Sequence, residues 1–179
     1  MKNNTVKTIN PDLVPGFIVY KENLIAWNKV MNLTAITESE EIDNLHFKDS
    51  LALLDFADFK CKKVIDVGTG AGFPGIPLKI CFKNAHFTLL DSLNKRILFL
   101  NKVIEQLELD HIEAVSERAE DFAKAGSVSR ETFDFCVSRA VADMSVLLEY
   151  CLPMVKIGGY CILYKSGDFQ EELKNAGKA

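Results

Sequence analysis

The chain predicts an α/β fold, a mostly parallel Rossmann-like sheet with a helical cap ahead of it. Three observations predict this. After Lys62, apolar runs rich in β-branched and aromatic residues alternate with helix-like segments; a glycine-rich turn follows the first run; and the residues before about Phe59 contain no convincing strand. Such alternation implies parallel strands joined by right-handed crossovers, with helices on both faces of the sheet.

The elements follow in order. Phe17, Tyr20, Leu24 and Trp27 recur at helical spacing, and Ile42, Leu45, Leu51 and Leu54 suggest a second helical stretch, with the turn-prone Asn32-Leu33-Thr34 between them. Strands are expected over residues 64–67, 87–90, 112–115, 133–137 and 160–164, and helices over 94–107 and 143–152. The first third (1–59) therefore reads as a helical cap and the rest (60–179) as a Rossmann-like core, together one compact unit. A length of 179 residues, 48% of them apolar and 26% charged, suits one folded domain. The formal net charge of −4 disfavours broad non-specific nucleic-acid binding but leaves room for a local basic patch. Cys61, Cys81, Cys136, Cys151 and Cys161 are scattered, with no Cys-x-x-Cys and no nearby histidine pairs, and read as reduced thiols, mostly buried. The polar start (Met1-Lys2-Asn3-Asn4) has no apolar signal core, and no segment approaches the length of a membrane span, so a cytoplasmic chain is expected.

Residues 64–75 carry the chemistry: Val64-Ile65-Asp66-Val67 runs into Gly68-Thr69-Gly70-Ala71-Gly72-Phe73-Pro74-Gly75. A buried strand entering such a turn admits a nucleotide-type ligand against bare backbone, and the next helix is expected to point its free N–H groups at that ligand. In a doubly wound sheet the ligand lies beyond the carboxyl ends of the strands. After the second strand comes Asp91, 23 residues beyond Gly68, placed to accept hydrogen bonds from two ribose hydroxyls. The third strand leads to Glu117-Arg118-Ala119-Glu120-Asp121, where a backbone N–H and a carboxylate suit an adenine edge. The fourth leads to Ser138-Arg139-Ala140, facing the reacting end, and the fifth to Lys165-Ser166-Gly167. A dinucleotide fold wants glycine or alanine at the place held by Phe73. An acid at Asp66 suits the methionine ammonium of S-adenosylmethionine and would sit poorly beside a diphosphate. The expected cofactor is S-adenosylmethionine, with Gly68 and Gly70 on the bare-backbone wall.

These motifs, in order, give the chain a specific resemblance. Trp27-Asn28-Lys29 with Asn32-Leu33-Thr34, then His46-Phe47-Lys48-Asp49-Ser50, Asp66 to Gly75 with Ile76-Pro77-Leu78, Phe87 to Ser92 with Lys95-Arg96, Arg118-Ala119-Glu120 and Ser138-Arg139-Ala140 cover nearly its whole length. The chain resembles the glucose-inhibited division protein B family, the small-subunit ribosomal RNA guanine-N7 methyltransferases. The resemblance implies a class I methyltransferase core acting on 16S ribosomal RNA of the small subunit. It also implies that Gly68, Phe73, Ala119, Glu120 and Arg139 lie in the cofactor pocket, where Asp91 joins them by the ribose argument. Two departures stand out. Lys48 occupies a place that is usually aliphatic, and the family's closing helix and antiparallel strand pair have no counterpart before Ala179. The second departure reads as a truncation that leaves the fifth strand an exposed edge.

Guanine N7 has a lone pair and no proton, so no catalytic base and no metal is expected. The sequence agrees by omission: no Asn/Asp-Pro-Pro-aromatic motif follows the fourth strand, and there is no Pro-Cys dipeptide. A monomer is expected. A small-molecule methyltransferase, or a shortened cofactor-binding chain without activity, are the competing readings. Individual residues keep plainer alternatives: Asp66 as a cap of the turn, Asp91 as a helix N-terminal acid, and Arg139 as a surface ion-pair residue. His46 and Asp49 share a helix face and either fix the cap to the core or touch RNA. Lys95, Arg96 and Lys102 are a solvated face or a phosphate contact, and His86 and His111 read as solvated.

Overall fold

The computed structural model describes residues 10–139, 142–165, 167 and 169–177. Ala140 and Ser166, named above, lie outside the described residues, as do Met1 to Asn4 and Ala179. The sheet holds β1 (Lys63–Val67), β2 (His86–Asp91), β3 (Ile112–Ser116), β4 (Phe133–Arg139) and β5 (Val155–Tyr164) in the order β3-β2-β1-β4-β5, all neighbours parallel. The chain order reverses direction at β1, so β1 and β4 form the switch point beyond which ligands bind in such sheets. Every expected strand is present, each slightly longer than its apolar run. β5 gains most, because Val155 pairs with Phe133 while Tyr160 pairs with Phe135. The bulge between them includes Gly158 (φ 79°) and exposed Ile157, so the first half of β5 carries no buried alternation to read.

Both faces are covered. On one, Phe17, Tyr20 and Leu24 of α1 (Pro15–Met31) meet Ile76 of α4 (Gly75–Cys81), Leu89 of β2, and Phe99 and Leu100 of α5 (Asn94–Gln106) in a single apolar cluster. Full burial of Phe17 and Leu24 stabilises by about 1.5–3 kcal/mol each. On the other face, Ile65, Leu90 and Cys136 pack against Leu147 and Cys151 of α7 (Met144–Cys151), whose N-cap Asp143 accepts from Ser145 N–H at 3.0 Å. The short α6 (Ala119–Phe122) follows β3, and α8 (Gln170–Ala176) packs on α7.

The cap departs from its expected phase. α1 ends at Asn32, whose left-handed φ of 50° turns the chain, and the Asn28 amide clamps Thr34 through both its backbone groups at 2.9 Å. The next helical stretch consists of α2 (Ser39–Glu41), a π-helical run (Ile42–Lys48) and α3 (Asp49–Leu51). The wider π turn advances the buried face, so Leu45, expected inside, is 53% exposed, while Asp43, His46 and Phe47 turn inward. Asp43 is matched there by Lys21 at 2.7 Å.

The turn after β1 demands glycine at one place above all. Gly72 has φ +101°, and a Cβ on it would lie 2.7 Å from the Tyr20 hydroxyl and 2.6 Å from Ile76 Cδ1. Gly72→Ala is expected to destabilise the fold by roughly 2–4 kcal/mol, through backbone strain and overpacking together, measured by urea unfolding. A change below about 0.5 kcal/mol would show that the turn relaxes freely.

Candidate functional site

Asp66 organises the turn from beneath. It is fully buried, and its Oδ2 accepts from Thr69 Oγ1 at 2.7 Å and from Gly75 N–H at 2.8 Å. Its Oδ1 has no partner among the described residues. Burial pushes the carboxyl up to about 6, against the lowering effect of these hydrogen bonds and of Arg139. The plainer alternative describes this geometry, since Asp66 ties the turn to the start of α4 and does not border the cavity beyond it. The expectation for α4 also fails, because the N–H of Gly75 goes to Asp66, that of Ile76 to Gly72 O, that of Leu78 to Pro74 O, and Pro77 has none. The cavity-facing wall is the turn itself, anchored by Gly68 and Thr69 N–H on Leu90 O at 2.8 and 3.1 Å.

That wall opens on a cavity of about 480 Å³ at the carboxyl ends of β1, β2 and β4. All seven residues singled out from the sequence border it: Gly68, Gly70 and Phe73 on the turn, Asp91 at the tip of β2, Ala119 and Glu120 at α6, and Arg139 at the end of β4. Asp91 is more engaged than its ribose assignment requires. Its Oδ1 accepts from Leu93 N–H, and its Oδ2 accepts from Gly70 N–H and from Arg96 Nη1, each at 2.9 Å. It thereby pins the glycine turn to β2 and caps the entry to α5. Glu120, in contrast, is partly exposed and paired with Arg118 at 2.8 Å, a neighbour that holds its carboxyl below the usual range.

Arg139 joins core to cap. Its guanidinium lies 5.0 Å from the Phe73 ring centroid, pairs with Asp49 Oδ2 at 2.8 Å, and donates to Leu45 O at 3.3 Å and to His46 Nδ1 at 3.2 Å. The His46 ring stacks on Phe73 at 4.4 Å between centroids and 15° between planes. Burial and the adjacent Arg139 cation lower the imidazole to about 4, so it is neutral near pH 7. With Nδ1 accepting from Arg139, the proton is assigned to Nε2, which donates to Thr34 Oγ1 at 2.9 Å. The shared face of His46 and Asp49 is therefore the arginine's dock. Below the stack, Tyr20 donates its hydroxyl to Ala71 O; burial raises its phenol well above the ordinary value, so it keeps that proton.

Sequence reasoning missed several cavity residues. Leu33, Thr34 and His46 come from the cap, and Tyr150 from α7. Arg96 was read as a solvated or phosphate-binding residue, and instead reaches back to Asp91. Lys95 donates to Met31 O, and Lys102 pairs with Glu105 on the helix surface. His86 and His111 are exposed and lie against each other at the starts of β2 and β3, at the opposite ends of those strands from the cavity.

Comparisons with known proteins agree with this architecture. Residues 14–179 match the family model described as GidB, rRNA small subunit methyltransferase G. A relative from Clostridium botulinum (strain Eklund 17B / Type B), named ribosomal RNA small subunit methyltransferase G, is 54% identical over 164 residues, covering 91% of this chain and 68% of that protein. One of the same name from Alkaliphilus metalliredigens is 48% identical over 172 residues, covering 96% and 72%. Among solved structures, a SAM-dependent methyltransferase from Aquifex aeolicus shares the fold at a TM-score of 0.59 and 18% identity, covering 82% of this chain and 86% of that one. No helix among the described residues is long and apolar enough to cross a membrane.

The depressed His46 value sets a direction with acid. Above pH 6.5 the imidazole is neutral in both states and adds no slope. Between 6.5 and about 4 the unfolded chain takes up a proton at His46 that the folded chain refuses, so the His46 contribution to stability falls as pH drops through that window. Urea unfolding at pH 7.5, 6 and 5 should show the wild type losing stability relative to His46→Gln, a comparison that cancels the opposite slope of Asp66, whose raised carboxyl takes up its proton first in the folded chain; parallel curves would mean that the imidazole titrates alike in the folded and unfolded chains.

Proposed function

We propose that this chain, which belongs to the rRNA small subunit methyltransferase G family, transfers the methyl group of S-adenosylmethionine to N7 of a guanine in 16S ribosomal RNA of the small ribosomal subunit. The observation that carries the reading is the convergence of the glycine wall, Asp91, Ala119-Glu120 and Arg139 on one cavity at the switch point of the sheet. When bound, S-adenosylmethionine supplies an electrophilic methyl group on a sulfonium.

The residues present fit that cofactor. A Cβ on Gly70 would meet nothing nearer than Gly68 O at 4.0 Å and would occupy the open side of the turn, so glycine there keeps room for a ligand. Asp91 would hold the ribose with the accepting capacity left by its protein donors. Ala119 and Glu120 would border the adenine, and Phe73 and Arg139 would close the reacting end.

The acceptor side is supplied by a second cavity of about 990 Å³ that meets the first at His46 and Arg139 and is bordered by Asp49, Phe56, Tyr164 and Lys165. Arg139 and Lys165 border this cavity, but each is paired there with a carboxylate, Asp49 and Glu172, so a phosphate of the acceptor would reach either cation only by displacing its acidic partner. Guanine N7 has no proton to remove, so holding base and methyl in line does most of the work. A cavity whose imidazole is committed through both nitrogens suits such base-free chemistry. We place the enzyme in the cytoplasm with its ribosomal substrate, as a monomer, and its methyl transfer requires no metal.

Asp91→Ala should weaken cofactor binding by roughly 1.5–3 kcal/mol through loss of charge-assisted hydrogen bonds, read by calorimetry. An unchanged dissociation constant would remove Asp91 from the ribose role. Incubation with labelled cofactor and undermethylated small subunits should place label in 16S ribosomal RNA as N7-methylguanine. Label appearing only in a metabolite pool would replace the reading with a small-molecule methyltransferase, and cofactor binding with no turnover would leave a binding module.

A further inference from the structure

The methyl-transfer site uses none of the cysteines, yet three of them converge behind it. Cys136 of β4 and Cys161 of β5 are register partners on adjacent parallel strands, so their side chains leave the same face of the sheet. Cys151, the last residue of α7, packs onto that face. The three sulfur atoms lie within 4.8 Å of one another. Cys136 and Cys151 are fully buried, Cys161 is partly so, and Ile65, Leu147 and Met154 belong to the same apolar cluster. Neither Cys61 nor Cys81 belongs to the group, and no disulfide engages any of the five.

We infer that Cys136, Cys151 and Cys161 form a three-sulfur site for a soft monovalent cation, Cu(I). Ligand number decides the ion. Structural zinc takes four protein ligands and an iron–sulfur cluster takes four cysteines, whereas among the described residues no histidine or carboxylate completes this group. Monovalent copper is satisfied by three sulfurs and prefers them to nitrogen or oxygen. With metal–sulfur bonds of about 2.3 Å, a trigonal ion spaces its sulfurs roughly 4 Å apart, which this cluster meets with small side-chain adjustment. Each copper–sulfur bond made to a thiol replaces an S–H bond, and the released proton leaves past the partly exposed Cys161. Copper enters and stays monovalent, so no electron moves. The bound ion would staple β4, β5 and α7 three residues before Arg139, behind the catalytic cavity.

The test uses the full chain under anaerobic conditions, in a Cys61→Ser background that removes the exposed thiol. Titration with Cu(I) against bicinchoninate should give one ion per chain, a thiolate-to-copper band in the near ultraviolet, and an X-ray absorption shell of three sulfurs. Affinity should rise with pH, and the thermal midpoint should increase on loading. Cys161→Ser, at the most accessible ligand, should weaken binding at least a hundredfold, whereas Cys81→Ser should leave it unchanged; Cys151→Ser repeats the test from the helix, and circular dichroism verifies that each variant folds. Copper that stays with equimolar bicinchoninate, a shell of two sulfurs, or wild-type affinity in folded Cys161→Ser would overturn the inference.

Discussion

The buried Asp66 carboxylate is the constraint on which the rest of the site depends. Through one oxygen it holds Thr69 and Gly75, so the turn leaving β1 folds back over its own strand and α4 starts directly behind it. Glycine at position 75 is part of the same constraint, since a Cβ there would stand 2.8 Å from Asp66 Oδ2. Taking a carboxylate out of water is costly, and its raised pKa reflects that cost. What the burial secures is a wall of backbone, fixed at one end by Leu90 O and at the other by Asp91. Phe73, carried at the end of this turn, then has a single place to lie.

Phe73 carries the constraint from the core into the cap. Tyr20 and Phe47 pack beside its ring, His46 stacks on it, and Arg139 lies over it. Arg139 also pairs with Asp49 and, with Tyr164 donating to Ser50 O at 2.7 Å, fastens the ends of β4 and β5 to the helical stretch before β1. Helices remote in sequence from the sheet thus contribute walls to both cavities. The cap residues Phe17, Tyr20 and Leu24 share one apolar cluster with the sheet and α5. Methyl transfer to an unprotonated nitrogen asks chiefly for such rigidity, because its rate depends on alignment more than on proton movement.

The legible and illegible parts divide along physical lines. Strands buried on both faces of a parallel sheet are mostly apolar, so β1, β2 and β4 announced themselves as predominantly apolar runs, each interrupted at one inner position by Asp66, Thr88 or Asp134. The start of β5 did not, since its bulge and edge position leave Lys156 and Ile157 exposed. Leu45 was misplaced because periodicity assumes 3.6 residues per turn, and the π-helical run over Ile42–Lys48 departs from that. Asp66 was visible as an acid before a glycine turn, but two roles fit that pattern, and only the positions of Thr69 and Gly75 chose between them.

By itself, the sequence determined the order of elements, the glycine wall and the acids and arginine at the strand ends, because topology forces strand-end residues of a parallel sheet toward the switch point. The tertiary structure alone decided which partners those residues take. Asp91 receives Gly70 and Arg96, Arg139 receives Asp49 and His46, and three cysteines scattered along the chain meet across β4, β5 and α7. The reason is geometric. Chemistry near one strand end follows from local spacing, whereas contacts between residues as far apart as Asp49 and Arg139 exist only after the apolar faces have packed and fixed the distance between them.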